Sequence, residues 1–268
     1  METSWLEKEQ AGPPCLARRG KGASGEGGMH STGFSVNTER FHGCRAILFD
    51  FGGTLDAEGQ HWLKRFFKLY EDAGFAISRP EITRAFYHAV DTCYADPGVA
   101  SFDLPALIDL HVRLQFEALG IEERRKEKRL AEKFRSDCRA ALNGRLALLE
   151  RMGKAFRLGI VSNFYGNLEH ICREAQLSRF FEVIIDSNRV GLRKPDPGIF
   201  ILALTRLSLP GPQVVFVGDS YERDMVPAME AGMKTIWLKG PDGLDAEEEA
   251  HPVDASIGRL SDLEELLP

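Results

Sequence analysis

Long apolar runs and paired cysteines are both scarce in this chain of 268 residues. No apolar run approaches the roughly 20 residues that a membrane-spanning helix needs, so we expect no membrane partner. The first residues lack the apolar core of a secretory signal, which predicts a cytoplasmic protein. The cysteines form no Cys-x-x-Cys pair and no cluster with histidine, which argues against a zinc site; they are Cys15, Cys44, Cys93, Cys138 and Cys172.

An excess of positive charge is also missing. The chain has 34 Lys and Arg against 40 Asp and Glu, a formal net charge of −6. Such a balance gives no general attraction to nucleic acid, so we expect no nucleic-acid partner. Residues 122–139 are locally basic, which favours a solvated helix face with i,i+4 ion pairs. The alternative is a basic surface that attracts anionic substrates.

Large apolar side chains are few in residues 1–43, where glycine and serine are frequent. A segment of this composition buries too little apolar surface to offset the entropy of folding, so we predict a disordered tail. Gly20-Lys21-Gly22 superficially suggests a phosphate-binding loop, but no strand precedes it and no Ser or Thr follows the lysine. Met29 is an alternative start that the sequence leaves open.

The second half of the chain alternates between two kinds of segment. Helical patterns cover 146–152, 168–175, 198–207, 224–231 and 261–267, and extended apolar patterns cover 156–161, 181–185, 214–217, 235–238 and 255–257. With the apolar run 46–49, this alternation predicts an α/β fold with a doubly wound, Rossmann-like parallel sheet. We assign residues 44–57 and 143–268 to this core.

Residues 58–142 show helical patterns without a strand signal. Trp62, Phe66 and Tyr70 recur at helical spacing, and Ser78 with Glu81 forms a predicted capping box. This segment is therefore predicted to be a separate α-helical cap domain. Several of its side chains are candidates for substrate contact, although aromatic residues at helical spacing are more often core; they are Tyr70, Phe86, Tyr87, His88, Tyr94 and Phe102.

Polar residues follow the predicted strands. Asp50 directly follows 46–49, Ser162-Asn163 follows 156–161, and Asp219 follows 214–217 with Asp224 five positions later. Ligands in open α/β sheets sit beyond the carboxyl ends of the strands, so residues distant in sequence can converge there. We expect Asp50, Ser162, Asp219 and Lys194, which lies in the Lys-Pro sequence between two of these strands, to share one crevice.

The order of these motifs resembles that of the haloacid dehalogenase-like hydrolase superfamily: Asp-x-x-Gly-Thr-Leu, hydrophobic-Ser-Asn, Lys-Pro and Gly-Asp-Ser-x-x-x-x-Asp. The resemblance covers roughly residues 44–268 and implies a helical cap of the C1 type, inserted after the first strand. It also implies a phosphatase that acts on a small phosphorylated metabolite through an aspartyl-phosphate. An oligomeric state is not implied.

The resemblance assigns a role to each motif residue. Asp50 is the expected nucleophile, assisted by Ser162 and Lys194. Phosphate oxygens are expected to bind Thr54, Ser162, Asn163 and Lys194. The expected Mg²⁺ ligands are Asp50, the main-chain carbonyl of Gly52, Asp219 and Asp224, because this ion takes only oxygen ligands.

One position departs from the family pattern. Phosphatases of this superfamily usually carry a second aspartate two residues after the nucleophile, where this chain has Gly52. Loss of a general acid/base typically lowers a rate by about 10² to 10⁴. Asp56, Glu58 and His61 lie just downstream and are candidate replacements. Two alternatives to a phosphatase stay open, a binding or regulatory protein with little turnover and a 2-haloacid dehalogenase, whose halide leaves without a proton.

Overall fold

The computed structural model describes residues 38–240 and 251–267, and its centre is a six-stranded parallel sheet. The strands are β1 (Ala46–Phe49), β2 (Arg157–Ser162), β3 (Phe181–Asp186), β4 (Val214–Gly218), β5 (Lys234–Leu238) and β6 (Ala255–Ile257). Their order across the sheet is β3-β2-β1-β4-β5-β6, and every neighbouring pair is parallel. The prediction of a parallel α/β sheet is confirmed, and β1 lies at its centre.

Both faces of the sheet are buried. Along β1, Ile47 and Phe49 pack into one apolar cluster, whereas Ala46 and Leu48 pack into the other. Side chains alternate between the faces of a strand, so a run of four apolar residues is the expected signature of a strand covered on both sides. All four are fully buried. The doubly wound arrangement holds the end of β1, and therefore Asp50, in the interior.

Helices cover the sheet and fill the long gap between β1 and β2. Those in the gap are α1 (Trp62–Asp72), α2 (Arg79–Ala95), α3 (Leu104–Ala118) and α4 (Arg124–Ala155). Those that follow are α5 (Leu168–Glu174), α6 (Ser187–Val190), α7 (Gly198–Leu207), α8 (Val226–Glu230) and α9 (Leu263–Leu266). The predicted capping box of Ser78 and Glu81 is present at the start of α2. Helix α1 begins at the cap residue His61, whose side chain accepts a hydrogen bond from the main-chain N–H of Leu63.

Helix α4 differs from its prediction because it continues through the position where we divided cap from core. Its 32 residues run without a break past position 142. Gly144 disfavours helix by about 1 kcal/mol relative to alanine. The buried face nevertheless continues on both sides of that glycine, with Leu142 before it and Leu148 and Leu149 after it. Packing therefore overrides the local signal, and the division of the chain into cap and core stays a prediction.

Residues 38–43 also differ from their prediction. Thr38–Phe41 form a 3-10 turn, and the Phe41 side chain is only 1% exposed. The predicted tail boundary at 43 is therefore too late, because Phe41 packs into the core. The rest of the predicted tail, with Gly20-Lys21-Gly22, lies outside the described residues. Among the described residues, no helix is both long and apolar enough to cross a membrane.

Candidate active site

The end of β1 brings Asp50 against two partners from distant parts of the chain. The Ser162 hydroxyl, at the end of neighbouring β2, donates to Asp50 Oδ1 over 2.7 Å. Lys194 Nζ lies 2.7 Å from the same oxygen, and both Lys194 and Asp50 are buried. In the part of the chain that the structure describes, Asp50 Oδ2 has no hydrogen-bond donor. The sequence predicts this convergence, and the structure shows it.

Two further carboxylates complete a cluster of acids beside Asp50. Asp50, Asp219 and Asp224 each offer an oxygen, and these three oxygens lie within 4.8 Å of one another. Asp224 accepts from Lys194 Nζ over 2.6 Å and from the main-chain N–H of Ser220 over 3.0 Å. Because Lys194 carries one positive charge among three carboxylates, the cluster holds an excess of negative charge when all three are ionised.

The electrostatics of the cluster follow from burial and this excess charge. Burial, reinforced by Asp50 and Asp224, raises the pKa of Asp219 well above its usual range. Burial likewise raises the pKa of Asp224 to about 6, although Lys194 acts in the opposite direction. Burial lowers the pKa of Lys194, but the Asp224 and Asp50 carboxylates outweigh it and leave that pKa raised. A cation would relieve the repulsion, and a set of carboxylate oxygens suits Mg²⁺.

The loop after β1 is shaped to lie against Asp219. Gly53 has φ of +94°, and a Cβ at this position would lie 2.5 Å from Asp219 Oδ2. Only glycine tolerates both the conformation and the close approach. The Thr54 hydroxyl donates to Asp219 Oδ1 over 3.3 Å. That hydroxyl is therefore engaged with Asp219, and phosphate binding by the main-chain N–H of Thr54 stays a prediction.

The Asn163 side chain binds the main chain of Lys194, a contact that the sequence does not predict. Its side-chain oxygen accepts from the main-chain N–H of Lys194 over 2.8 Å, and its side-chain nitrogen donates to the Lys194 carbonyl over 2.9 Å. This reciprocal pair fixes the loop that carries Lys194. The side chain is therefore occupied, which leaves the main-chain N–H of Asn163 as its predicted phosphate contact.

A cavity of about 90 Å³ opens above Asp50, Gly52 and Lys194. Aromatic side chains form part of its wall; they are Trp62, Phe86 and Tyr87 from the helical segment and Phe164 and Tyr165 from the loop after β2. Arg223, from the turn after Asp219, reaches across to Tyr87 with a 3.4 Å hydrogen bond. Of the six candidates for substrate contact, Phe86 and Tyr87 line this cavity.

Two of the three candidate replacements for the acid/base are used elsewhere. Asp56 is fully buried; it accepts from the main-chain N–H of Gly53 over 2.7 Å and from the Trp62 indole over 2.5 Å. Glu58 accepts from the main-chain N–H of Leu260 over 3.2 Å and also pairs with an arginine of α4. His61 lines the cavity together with Asp50 and Gly52, whereas Asp56 and Glu58 do not.

Arg145 is the positioning residue that sequence reasoning missed. It projects from α4 and is 8% exposed. Its guanidinium donates to the carbonyl of Leu55 over 3.4 Å and of Ala57 over 3.0 Å, and it forms an ion pair with Glu58 over 2.5 Å. It thereby fixes the chain that leaves the Asp50 loop. The sequence does show that Arg145 interrupts a helix face that is otherwise apolar, which suggests a buried arginine. The sequence does not show which groups this arginine would contact.

The fold and the site define a Rossmann-like α/β protein with a helical insertion over a carboxylate and lysine centre. The sequence model of the haloacid dehalogenase-like hydrolases matches residues 44–232. The chain belongs to the haloacid dehalogenase-like hydrolase family.

Individual relatives agree with this assignment. The chain is 34% identical over 136 residues to haloacid dehalogenase-like hydrolase domain-containing protein 3 of Xenopus laevis, covering 48% of this chain and 56% of that protein. It is 28% identical over 231 residues to phosphoserine phosphatase of Thermus thermophilus, covering 82% and 90% respectively. Alignments to haloacid dehalogenase-like hydrolase domain-containing protein 3 of Xenopus laevis, Bos taurus and Danio rerio span only 56%, 63% and 35% of its length.

A solved structure shows the same fold. The crystal structure of a dehalogenase with an intermediate complex superposes with a TM-score of 0.58 at 20% identity. The superposition covers 84% of this chain and 97% of the other. At this identity the likeness concerns the fold alone.

Proposed function

We propose that this protein is a Mg²⁺-dependent phosphatase that hydrolyses a small phosphorylated metabolite through an aspartyl-phosphate on Asp50. The observation that carries the proposal is the shared geometry at Asp50. Ser162 and Lys194 both bind Oδ1 at 2.7 Å, while Asp219 and Asp224 place carboxylate oxygens within 4.8 Å. Phosphoryl transfer requires mainly an aligned nucleophile and positive charge around the phosphoryl oxygens.

In the first step, an Asp50 carboxylate oxygen attacks phosphorus while the bond from phosphorus to the ester oxygen breaks. Ser162 and Lys194 hold Oδ1, which restricts the rotation of the carboxylate and leaves Oδ2 without a donor among the described residues. Lys194 also offsets the negative charge that builds where a phosphate dianion meets a carboxylate. In the second step, water gives a proton to the departed ester oxygen, and its oxygen attacks the phosphorus of the aspartyl-phosphate, which yields inorganic phosphate and regenerates the Asp50 carboxylate.

The metal-binding residues in this proposal are Asp50, Asp219 and Asp224, with the main-chain carbonyl of Gly52. The raised pKa values of Asp219 and Asp224 support it, because burial and the neighbouring carboxylates disfavour the ionised cluster and a bound cation would favour it. Mg²⁺ held by these residues would supply positive charge that screens the carboxylates from phosphate and polarises the phosphoryl group. Asp224 also holds Lys194 Nζ at 2.6 Å, so it orients the lysine as well.

The proposed substrate is small because the cavity is small, at about 90 Å³. Its aromatic walls favour a compact leaving group with an apolar part. Phosphatases among the relatives, such as phosphoserine phosphatase of Thermus thermophilus, support a phosphorylated metabolite as the class.

The test is hydrolysis of p-nitrophenyl phosphate, whose leaving group departs without protonation, with and without Mg²⁺. The native chain should hydrolyse it only with metal, and Asp50→Asn should lower the rate by about 10³-fold or more. Asp72→Asn is the matched control, since this exposed carboxylate at the end of α1 pairs only with Lys68 among the described residues. Hydrolysis that survives Asp50→Asn or removal of the metal would contradict the mechanism.

Two further measurements on the native protein distinguish the phosphatase from a binding protein and from a dehalogenase. A binding protein, which Gly52 favours, would bind phosphate esters calorimetrically but release no product from a broad panel of esters. A dehalogenase would release halide from 2-chloropropionate without metal. The acid cluster opposes this last reading, because halide displacement has no use for a cation.

A further inference from the structure

His61 is the one polar residue between Gly52 and α1 that lines the cavity with Asp50. Its Nδ1 accepts the main-chain N–H of Leu63 over 3.3 Å at the start of α1. A neutral imidazole whose Nδ1 accepts must carry its proton on Nε2. Across residues 38–240 and 251–267, no group forms a hydrogen bond with Nε2. The ring therefore has an N–H donor that is not used within this part of the protein.

The surroundings of His61 favour the neutral ring. Burial, followed by the positive charges of Arg223, Lys64 and Lys194, lowers its pKa to about 3. The ring also packs edge-on against Phe86, with ring centroids 5.9 Å apart. The Leu63 hydrogen bond and the Phe86 contact fix both the position and the orientation of the imidazole. A neutral histidine can act as an electrophile by donating a hydrogen bond to developing negative charge.

We propose that the Nε2–H of His61 donates a hydrogen bond to the ester oxygen of the leaving group and partly replaces the acid that is missing at Gly52. This inference rests on the proposed phosphatase function. Asp56 and Glu58 are engaged with the loop and with Arg145, so they do not compete for the role. His61 thereby becomes a catalytic residue that contacts the reacting atoms.

The reaction assisted by His61 conserves protons and electrons. As the bond from phosphorus to the ester oxygen breaks, its electron pair stays on that oxygen, and the His61 N–H stabilises the resulting charge. The ester oxygen then takes a proton from water and leaves as the alcohol. The hydroxide formed attacks the phosphorus of the aspartyl-phosphate, which yields inorganic phosphate and the free Asp50 carboxylate. His61 stays neutral throughout and neither gains nor loses a proton.

The test compares phosphate monoesters of decreasing leaving-group ability, from p-nitrophenyl through phenyl to ethyl phosphate. His61→Ser keeps a preferred helix N-cap but is too short to reach the ester oxygen. It should lower kcat/KM for ethyl phosphate by about 10²-fold, as loss of a transition-state donor does, and leave p-nitrophenyl phosphate within about 3-fold. His61→Gln, which carries a donor of similar reach, should recover part of the loss. His42→Ala, at an exposed histidine before β1, should change no rate.

The possible outcomes distinguish the role of His61 from the proposed phosphatase function. A loss that grows as the leaving group worsens supports the inference, because a merely structural change would lower all three rates alike. Equal losses on all esters, or no loss, would overturn the role of His61 while leaving the phosphatase proposal intact. If the native chain hydrolyses none of the esters with Mg²⁺ present, the proposed function fails and this inference fails with it. Thermal unfolding of each variant shows whether the N-cap substitution preserves the fold.

Discussion

Gly52 and Gly53 are neighbours in the loop after β1, but the space around them differs. A Cβ on Gly52 would lie 3.7 Å from Trp62 Nε1, its nearest atom, which is an ordinary contact distance. A Cβ on Gly53 would lie 2.5 Å from Asp219 Oδ2. Gly53 is therefore required by the packing of the loop, whereas Gly52 is not. Gly52 therefore departs from the family pattern because it lacks an acidic side chain, although there is room for one.

Gly52→Asp should therefore restore an acid without disturbing the loop. We expect it to raise the rate on a poor leaving group such as ethyl phosphate by about 10²-fold, the lower end of what a general acid contributes. Gly52→Asn is the matched control, because its amide has the same size and can donate a hydrogen bond but has no acidic proton to transfer. An unchanged rate in Gly52→Asp with the fold intact, or an equal gain in Gly52→Asn, would contradict the proposed deficit. Both rates come from steady-state hydrolysis with Mg²⁺ present.

Among the elements, the adjacent parallel strands β1 and β4 bring together the carboxylates that follow their carboxyl ends. The two strands are adjacent and in register from Ala46 with Val214 to Phe49 with Val217. Asp50 follows β1 and Asp219 follows β4, so the register alone brings them close. The mutual repulsion of these acids is a consequence of strand order, and Lys194, which pairs with Asp50 and Asp224, offsets part of the negative charge of the cluster.

This repulsion makes stabilisation by Mg²⁺ depend on pH. The folded-state pKa of Asp224 is about 6 and that of Asp219 is raised well above its usual range, whereas an unfolded aspartate titrates at about 3.9. The metal-free folded state therefore binds more protons than the unfolded chain, and this contribution to stability increases as pH falls from about 6 towards about 4. Mg²⁺ competes with those protons, so it stabilises most above pH 6.

Thermal unfolding with and without Mg²⁺ at about pH 8 and about pH 5.5 measures this difference. At pH 8, free Mg²⁺ at about 100 times its Kd should stabilise the fold by about 2.7 kcal/mol, with a smaller effect at pH 5.5. Asp224→Asn should reduce the Mg²⁺ effect at the higher pH. An equal Tm shift at both pH values would show that these carboxylates do not hold the ion.

The sequence predicts elements well where one signal dominates. Four buried residues in β1 and the capping box at Ser78 each have a local cause, and both predictions are confirmed. The predicted break between two helices near residue 143 is absent from the structure. The apolar face of α4 continues beyond Gly144, so the helix continues as well. A glycine in a helix is a weak signal, and the packing of the residues that follow decides the outcome.

At the scale of the whole molecule, the sequence predicts which motif residues converge but not how the helical segment meets them. The order of strand ends places Asp50, Ser162 and Asp219 together because the topology of a parallel sheet is restricted. Which side chain downstream of Gly52 reaches the cavity depends on contacts such as the one from Arg145 to Leu55, which are 90 positions apart. No local pattern encodes a contact of that range, so His61 could be singled out only from the structure.

Mass spectrometry of protein quenched with acid during turnover of p-nitrophenyl phosphate with Mg²⁺ tests directly for the aspartyl-phosphate. We expect a phosphoryl group on the peptide that contains Asp50, labile to base and absent from Asp50→Asn. Turnover by the native chain with Asp50 unmodified, or with the phosphoryl group on another residue, would contradict it.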